Sequence, residues 1–285
     1  MAMTDSRSVE NGYTCLLIGN AILVCGLIGA GILVLFGDAT RNISRFIYIQ
    51  IDLPAFCVIA TIAAVSAVLT LGRLVSPALP DRLPLPAPQP WHIALVTLAA
   101  IAIAVGPVYH DFAFSMDEYM TRFQAEIFAA GRLAGEVPEE WREYARALHH
   151  SFARFDPASG FVYSSYRPGM AALYALLDLV GVGRYTSAIL SAGSVVLVAS
   201  IARKLWPYSD SAPLVAAATL ATSQQVLITG LTSYAMPAHL FLNLLWVRLF
   251  LVDRLWAYGL AALVGIATAA LHQIHLHVFF AAPFL

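Results

Sequence analysis

Residues 91–108 read WHIALVTLAAIAIAVGPV, with no charged side chain among them. A helix needs about 20 predominantly apolar residues to cross a bilayer core, and this run is close to that length. Outward from it the pattern repeats. Apolar runs occupy 14–36 and 53–71 before it, and 170–182, 186–201, 212–228, 237–252 and 255–285 after it. The run 170–182 is short and carries Asp178, so a tilted or re-entrant segment is expected there. The last run is split into two apolar halves by His272, Gln273, His275 and His277. Seven or eight crossings follow, in an all-α polytopic membrane protein. Composition agrees: the 285 residues are 60% hydrophobic and 12% charged, with mean hydropathy +0.75, whereas soluble domains carry about 25% charge. This excludes a soluble enzyme, a disordered tail and a nucleic-acid-binding module, and a net charge of -1 supplies no field for a polyanion.

The run 14–36 is long for a signal peptide and is read as a retained span. Prolines at 77, 80, 84, 86, 88 and 90 predict a stiff connector. It divides a region 1–90, with two spans and the linker, from a transmembrane module 91–285. Cys15, Cys25 and Cys57 lie within apolar runs and are read as small hydrophobes. The chain stops inside an apolar segment, which predicts that the module continues further.

The polar stretch 110–167 holds nine of the seventeen acidic residues and six of the basic ones. With the loop 109–169 outside, Arg7, Arg73 and Arg82 fall inside against Arg41 and Arg45 outside, a narrow positive-inside margin. Two amphipathic helices are expected to lie along the membrane face. One has Met116, Met120, Phe123, Ile127 and Ala130 as its apolar stripe; the other has Trp141, Tyr144, Ala145, Leu148, Phe152 and Phe155.

Candidate site residues gather at the loop's two ends. Ser115 and Glu118 form a capping box, which gives Glu118 a structural role. Asp117 is not needed by the box; it is either a first-turn acid favoured by the helix dipole or a reactive carboxylate at the membrane boundary. Tyr166 and Arg167 precede Pro168 at the return to the membrane. They suit an interfacial belt, and the guanidinium also suits a phosphate. His272, His275 and His277 need partners in an apolar run. A divalent metal or hydrogen bonding to sugar or phosphate would each supply them. His149 and His150 read as a solvated surface pair.

Three short motifs in this order, Met116-Asp117-Glu118, then Tyr166-Arg167-Pro168-Gly169-Met170-Ala171-Ala172-Leu173-Tyr174, then Ala202-Arg203-Lys204-Leu205-Trp206, resemble the GT-C superfamily of membrane glycosyltransferases. The likeness is to the protein O-mannosyltransferase and lipid A aminoarabinose transferase branch. It covers the chain from Trp91 onward and corresponds to the N-terminal half of such proteins. Two additional N-terminal runs precede it, and Arg-Pro-Gly stands where Pro-Pro or Lys-Pro is common. The resemblance implies inverting transfer from a polyprenyl-phosphate sugar to a lipid, glycan or protein acceptor, at the outer face of a bacterial cytoplasmic membrane. Asp117 and Glu118 would be catalytic, and Tyr166, Arg167, His272, His275 and His277 would bind substrate. The competing expectation is a transporter or flippase in which Asp178, His239, Arg248 and the His cluster line a pathway.

Overall fold

The computed structural model describes residues 3–36, 49, 53–75, 89–144 and 152–284. The chain is mostly helical and divides into two compact units, Met1–Pro86 and Ala87–Leu285. In the first unit, helices α1 (Met3–Phe36) and α2 (Leu53–Val75) pack together, and the Asn20 amide donates to Ser66 Oγ at 3.1 Å. The proline connector, for residues 76–88, and the pair His149 and His150 lie outside the described residues.

The second unit holds α3 (Pro90–Ala104), α4 (Met116–Ala129), α5 (Gly169–Asp178), α6 (Thr186–Leu205), α7 (Ala212–Ala221), α8 (Gln224–Leu231), α9 (Met236–Phe250), α10 (Leu255–Ala269) and α11 (Ile274–Ala281). Pro90 opens α3, where its missing N–H costs nothing. Pro107 near the other end cannot donate and crowds the preceding turn, and the helix widens into a π-turn over Val105–Tyr109. The central helix α6 buries Thr186, Ser187, Ser191 and Ser194. Small residues let helices approach closely, and α3, α7 and α9 all pack on α6. Ile103 and Val196 face outward on α3 and α6, as suits a lipid boundary.

The expectation of seven or eight crossings is corrected. Among the described residues two helical segments are long and apolar enough to span a membrane, Pro90–Tyr109 and Gly183–Leu205. A third counts if α7 and α8, bent by 54° at their junction, are one broken span. In the second unit the other apolar runs fold as shorter pieces. A helix of 15 residues such as α9 or α10 reaches about 22 Å, short of a hydrocarbon core of about 30 Å. The helices break where Asp253 adopts φ 55 after α9 and at residues 270–273 between α10 and α11.

The chain is also not all-α. A three-stranded antiparallel sheet in the order β1-β3-β2 joins β1 (Gly135–Glu136), β2 (Ala153–Phe155) and β3 (Phe161–Ser164), with Ala153 opposite Ser164 and Phe155 opposite Val162. This overturns the second amphipathic helix where it can be seen. Residues 145–151 lie outside the described set, but Glu139–Trp141 is a 3-10 turn and Ala153–Phe155 a strand. Asp156 closes the β2–β3 turn by accepting from Ser159 Oγ at 2.6 Å and Ala158 N–H at 3.1 Å, and Gly160 takes φ 74. These turn contacts favour a hairpin over helix continuation.

Candidate active site

The helix α4 positions the site. Ser115 is extended at its N-cap and its Oγ accepts from the Glu118 N–H at 3.4 Å. The return bond of the capping box goes one residue further out: Glu118 Oε2 accepts from the Phe114 N–H at 3.1 Å. Glu118 has other partners as well. Its Oε1 accepts from Tyr109 Oη at 2.5 Å and from the Ser233 N–H at 3.3 Å, and the residue is 1% exposed. A buried carboxylate with this many donors is held immobile. Glu118 therefore ties the end of α3, the start of α4 and the segment before α9 to one point. That arrangement fits a structural anchor, not a group that exchanges protons with substrate.

Asp117 points elsewhere. Residues 117, 121, 124 and 128 share one side of α4 by helical spacing. Asp117 Oδ1 accepts a hydrogen bond from Tyr166 Oη, and Oδ2 has no partner among the described residues. Tyr166 in turn lies with its ring 4.8 Å from that of His272, in the break between α10 and α11. Burial and then the Asp117 hydrogen bond push the Tyr166 phenol above its ordinary range, so it stays protonated and donating.

Two contacts hold this trio in place. Gly169 N–H, at the start of α5, donates to Ala270 O at 3.0 Å, so α5 meets the helix break backbone to backbone. A Cβ on Gly169 would lie 2.6 Å from that oxygen. Gln124, buried on α4, donates to Leu133 O at 3.0 Å and accepts from the Ser164 N–H at 2.9 Å, which fixes β3 against α4 two residues before Tyr166. Beneath them Ala125, Met170, Ala171, Tyr174, Ala238 and Leu271 form a buried apolar cluster.

A cavity of about 480 Å³ opens beside Tyr166. Gln124, Phe128, Arg154, Tyr163, Tyr166 and Arg167 line it. Arg154 and Arg167 are exposed, and among the described residues they make no ion pair and share the lining with no carboxylate. Two unneutralised guanidiniums facing one cavity suit an anion such as phosphate. A larger cavity of about 820 Å³ lies along another side of α4, where Ser115 and Met116 line it.

The three C-terminal histidines diverge. His272 alone of them packs on Tyr166. His275 is exposed and packs on Phe279, while His277 is buried, with Nδ1 2.8 Å from Asn243 Oδ1 and its ring edge-on to Trp246. Among the described residues no three His, Cys, Asp or Glu side chains come together as a metal site.

Arg154 and Gln124 were not anticipated from sequence. Arg154 stands between Ala153 and Phe155 in an alternating buried-exposed pattern, a strand signal masked by the helical spacing of its aromatic neighbours. Gln124 carries no local signal, since its partners are 9 and 40 residues away. No protein-family model matches the sequence, and no curated protein or solved structure is significantly similar to it.

Proposed function

We propose that the chain is a membrane glycosyltransferase that moves a sugar from a polyprenyl-phosphate donor to a hydroxyl acceptor, with Asp117 as the base. The observation that carries the reading is the pairing of a half-partnered carboxylate with an anion-suited cavity. Asp117 has one oxygen held by Tyr166 and the other open, and Tyr166 also lines the cavity of Arg154 and Arg167.

Chemically, Asp117 Oδ2 takes the acceptor's hydroxyl proton as that oxygen forms a bond to the anomeric carbon. The bond from the anomeric carbon to the phosphate oxygen breaks, and the phosphate keeps the electron pair. A phosphate leaves without a general acid; it needs cationic donors for the charge that develops. Arg167 and Arg154 supply those donors. Tyr166 keeps the carboxylate oriented, and His272 braces the Tyr166 ring.

The transport reading has less support. Arg248 Nε donates to Ser200 Oγ at 2.7 Å, and Asp178 faces Arg122 at 3.9 Å. Arg248 and Asp178 each face a partner on another element of the second unit.

The deciding experiment gives purified full chain in nanodiscs a panel of polyprenyl-phosphate sugars and mixed membrane-extract acceptors. Transfer by the wild type and none by Asp117→Asn is the expected result. No transfer from any donor by folded protein, or equal transfer by Asp117→Asn, overturns the reading.

A further inference from the structure

We infer that the 820 Å³ cavity on the other side of α4 binds a sugar ring, and that the acceptor is itself a carbohydrate. The acceptor role rests on the transfer reading above; the sugar site does not. The volume falls within the roughly 300–1,000 Å³ typical of small-molecule sites. Charge separates this cavity from its neighbour. Its lining has two arginines, Arg122 and Arg184, against two carboxylates, Asp111 and Glu126, so it carries no net formal charge to favour an anion. The cavity of Arg154 and Arg167 has no acid among the described residues that line it. A phosphate belongs in the second, and a neutral ligand that both donates and accepts hydrogen bonds belongs in the first.

Sugar hydroxyls have that dual capacity. Arg122 lines the cavity, and its Nη1 is buried with no hydrogen-bond partner among the described residues. Its nearest carboxylate oxygen, on Asp178, is 3.9 Å away, too far for a hydrogen bond. The guanidinium is kept in place by stacking 4.7 Å above the Tyr174 ring. Glu126, one turn along α4, offers acceptors for the same ligand. Phe114 and Tyr119 are 70% and 53% exposed and line the cavity, giving the flat apolar surfaces on which the C–H faces of a pyranose rest.

The cavity lip is built with unusual backbone. His110 and Asp111 both take left-handed φ, 57 and 50, and Asp111 is then held by Arg184 at 2.6 Å across 73 residues of sequence. Consecutive non-glycine residues in this region are costly and need such a tether. The placement relative to Asp117 fits an acceptor. Asp117 follows Ser115 and Met116, which line the sugar cavity, and accepts a hydrogen bond from Tyr166, which lines the phosphate cavity; Asp117 itself is in neither lining.

The test uses methyl α-D-mannopyranoside, methyl β-D-glucopyranoside and inorganic phosphate as probes, with the full chain in nanodiscs free of glycosidic detergent. Saturation-transfer NMR reads binding without any transfer reaction. At least one glycoside should give saturation transfer with the wild type, unchanged by phosphate. Arg122→Gln and Tyr119→Ala should each weaken it about tenfold, the loss expected for one charged hydrogen bond or one stacking face. Arg122→Lys, which keeps the charge over Tyr174 without the planar fork, guards against misfolding and should weaken binding as well. Absence of saturation transfer from both glycosides, undiminished binding in Arg122→Lys and Tyr119→Ala, or displacement by phosphate overturns the inference. Glycoside binding without transfer from any donor keeps the sugar site and removes the transferase. Transfer with no glycoside binding does the reverse.

Discussion

Asp117 and Glu118 are neighbours on the first turn of α4, yet their carboxylates have separate tasks. If the proposed transfer reading holds, Asp117→Asn, which keeps the size and the bond from Tyr166 but removes the proton acceptor, should abolish transfer while the thermal transition stays in place; a transfer assay beside a melting curve checks both. Glu118→Gln is expected to be far from mild. An amide turns one acceptor oxygen into a donor facing the N–H and O–H groups of Phe114, Ser115, Tyr109 or Ser233. The cost should be about 3 kcal/mol, well above the roughly 1 kcal/mol of a lost cap, and visible as a large fall in melting temperature. Tyr166 adds a pH signature. Its phenol is held above its ordinary 10.0 by burial and by Asp117, so the folded state prefers the protonated form. The stabilisation is complete below the unfolded value and declines as pH rises past it, because the unfolded phenol ionises first. The difference in melting temperature between wild type and Tyr166→Phe should therefore be constant at neutral pH and shrink above about pH 10.

Among the elements, α5 and the break between α10 and α11 act as one support. Gly169→Ala would place a Cβ 2.6 Å from Ala270 O, and backbone on both sides leaves little room to yield. We expect a loss of about 1–3 kcal/mol, together with looser packing of His272 on Tyr166 and slower transfer; melting and kcat should fall in parallel. The helix α4 was legible from Ser115, Glu118 and the stripe through Met120 and Ile127, both of which are buried. The segment ending at Phe155 was not, because aromatic residues at 152 and 155 fit a helical period as well as a strand flanked by turn residues. Pairing with β3 decided between them, and Asp156 with Gly160 supplied a turn whose chemistry was readable in advance.

For the whole molecule, the second unit sets the orientation of its two long apolar segments. Arg184, at the start of Gly183–Leu205, pairs with Asp111, two residues after the end of Pro90–Tyr109, so the two run in opposite directions. In a background lacking Cys15, Cys25 and Cys57, Ala113→Cys and Tyr208→Cys should react with a membrane-impermeant maleimide from opposite sides, Ala113→Cys from outside if the loop is external. Both reacting from one side would show that these segments do not cross.

The sequence by itself determined that the chain is dominated by apolar helices, that α4 begins at Ser115, that the last apolar run breaks near His272, and that Asp117 is an acid its capping box leaves unused. Those features depend on composition and on residues within a turn or two of each other. Tertiary structure alone decided how many runs are long, straight spans: the break at 222–223, for example, falls inside the apolar run 212–228, which reads as continuous. It also decided which polar groups converge. Tyr166 reaches Asp117 across 49 residues and Ser233 reaches Glu118 across 115, while His277 turns away to Asn243. A hydrogen bond is set by distance in space, and local patterning carries no record of contacts between such distant residues.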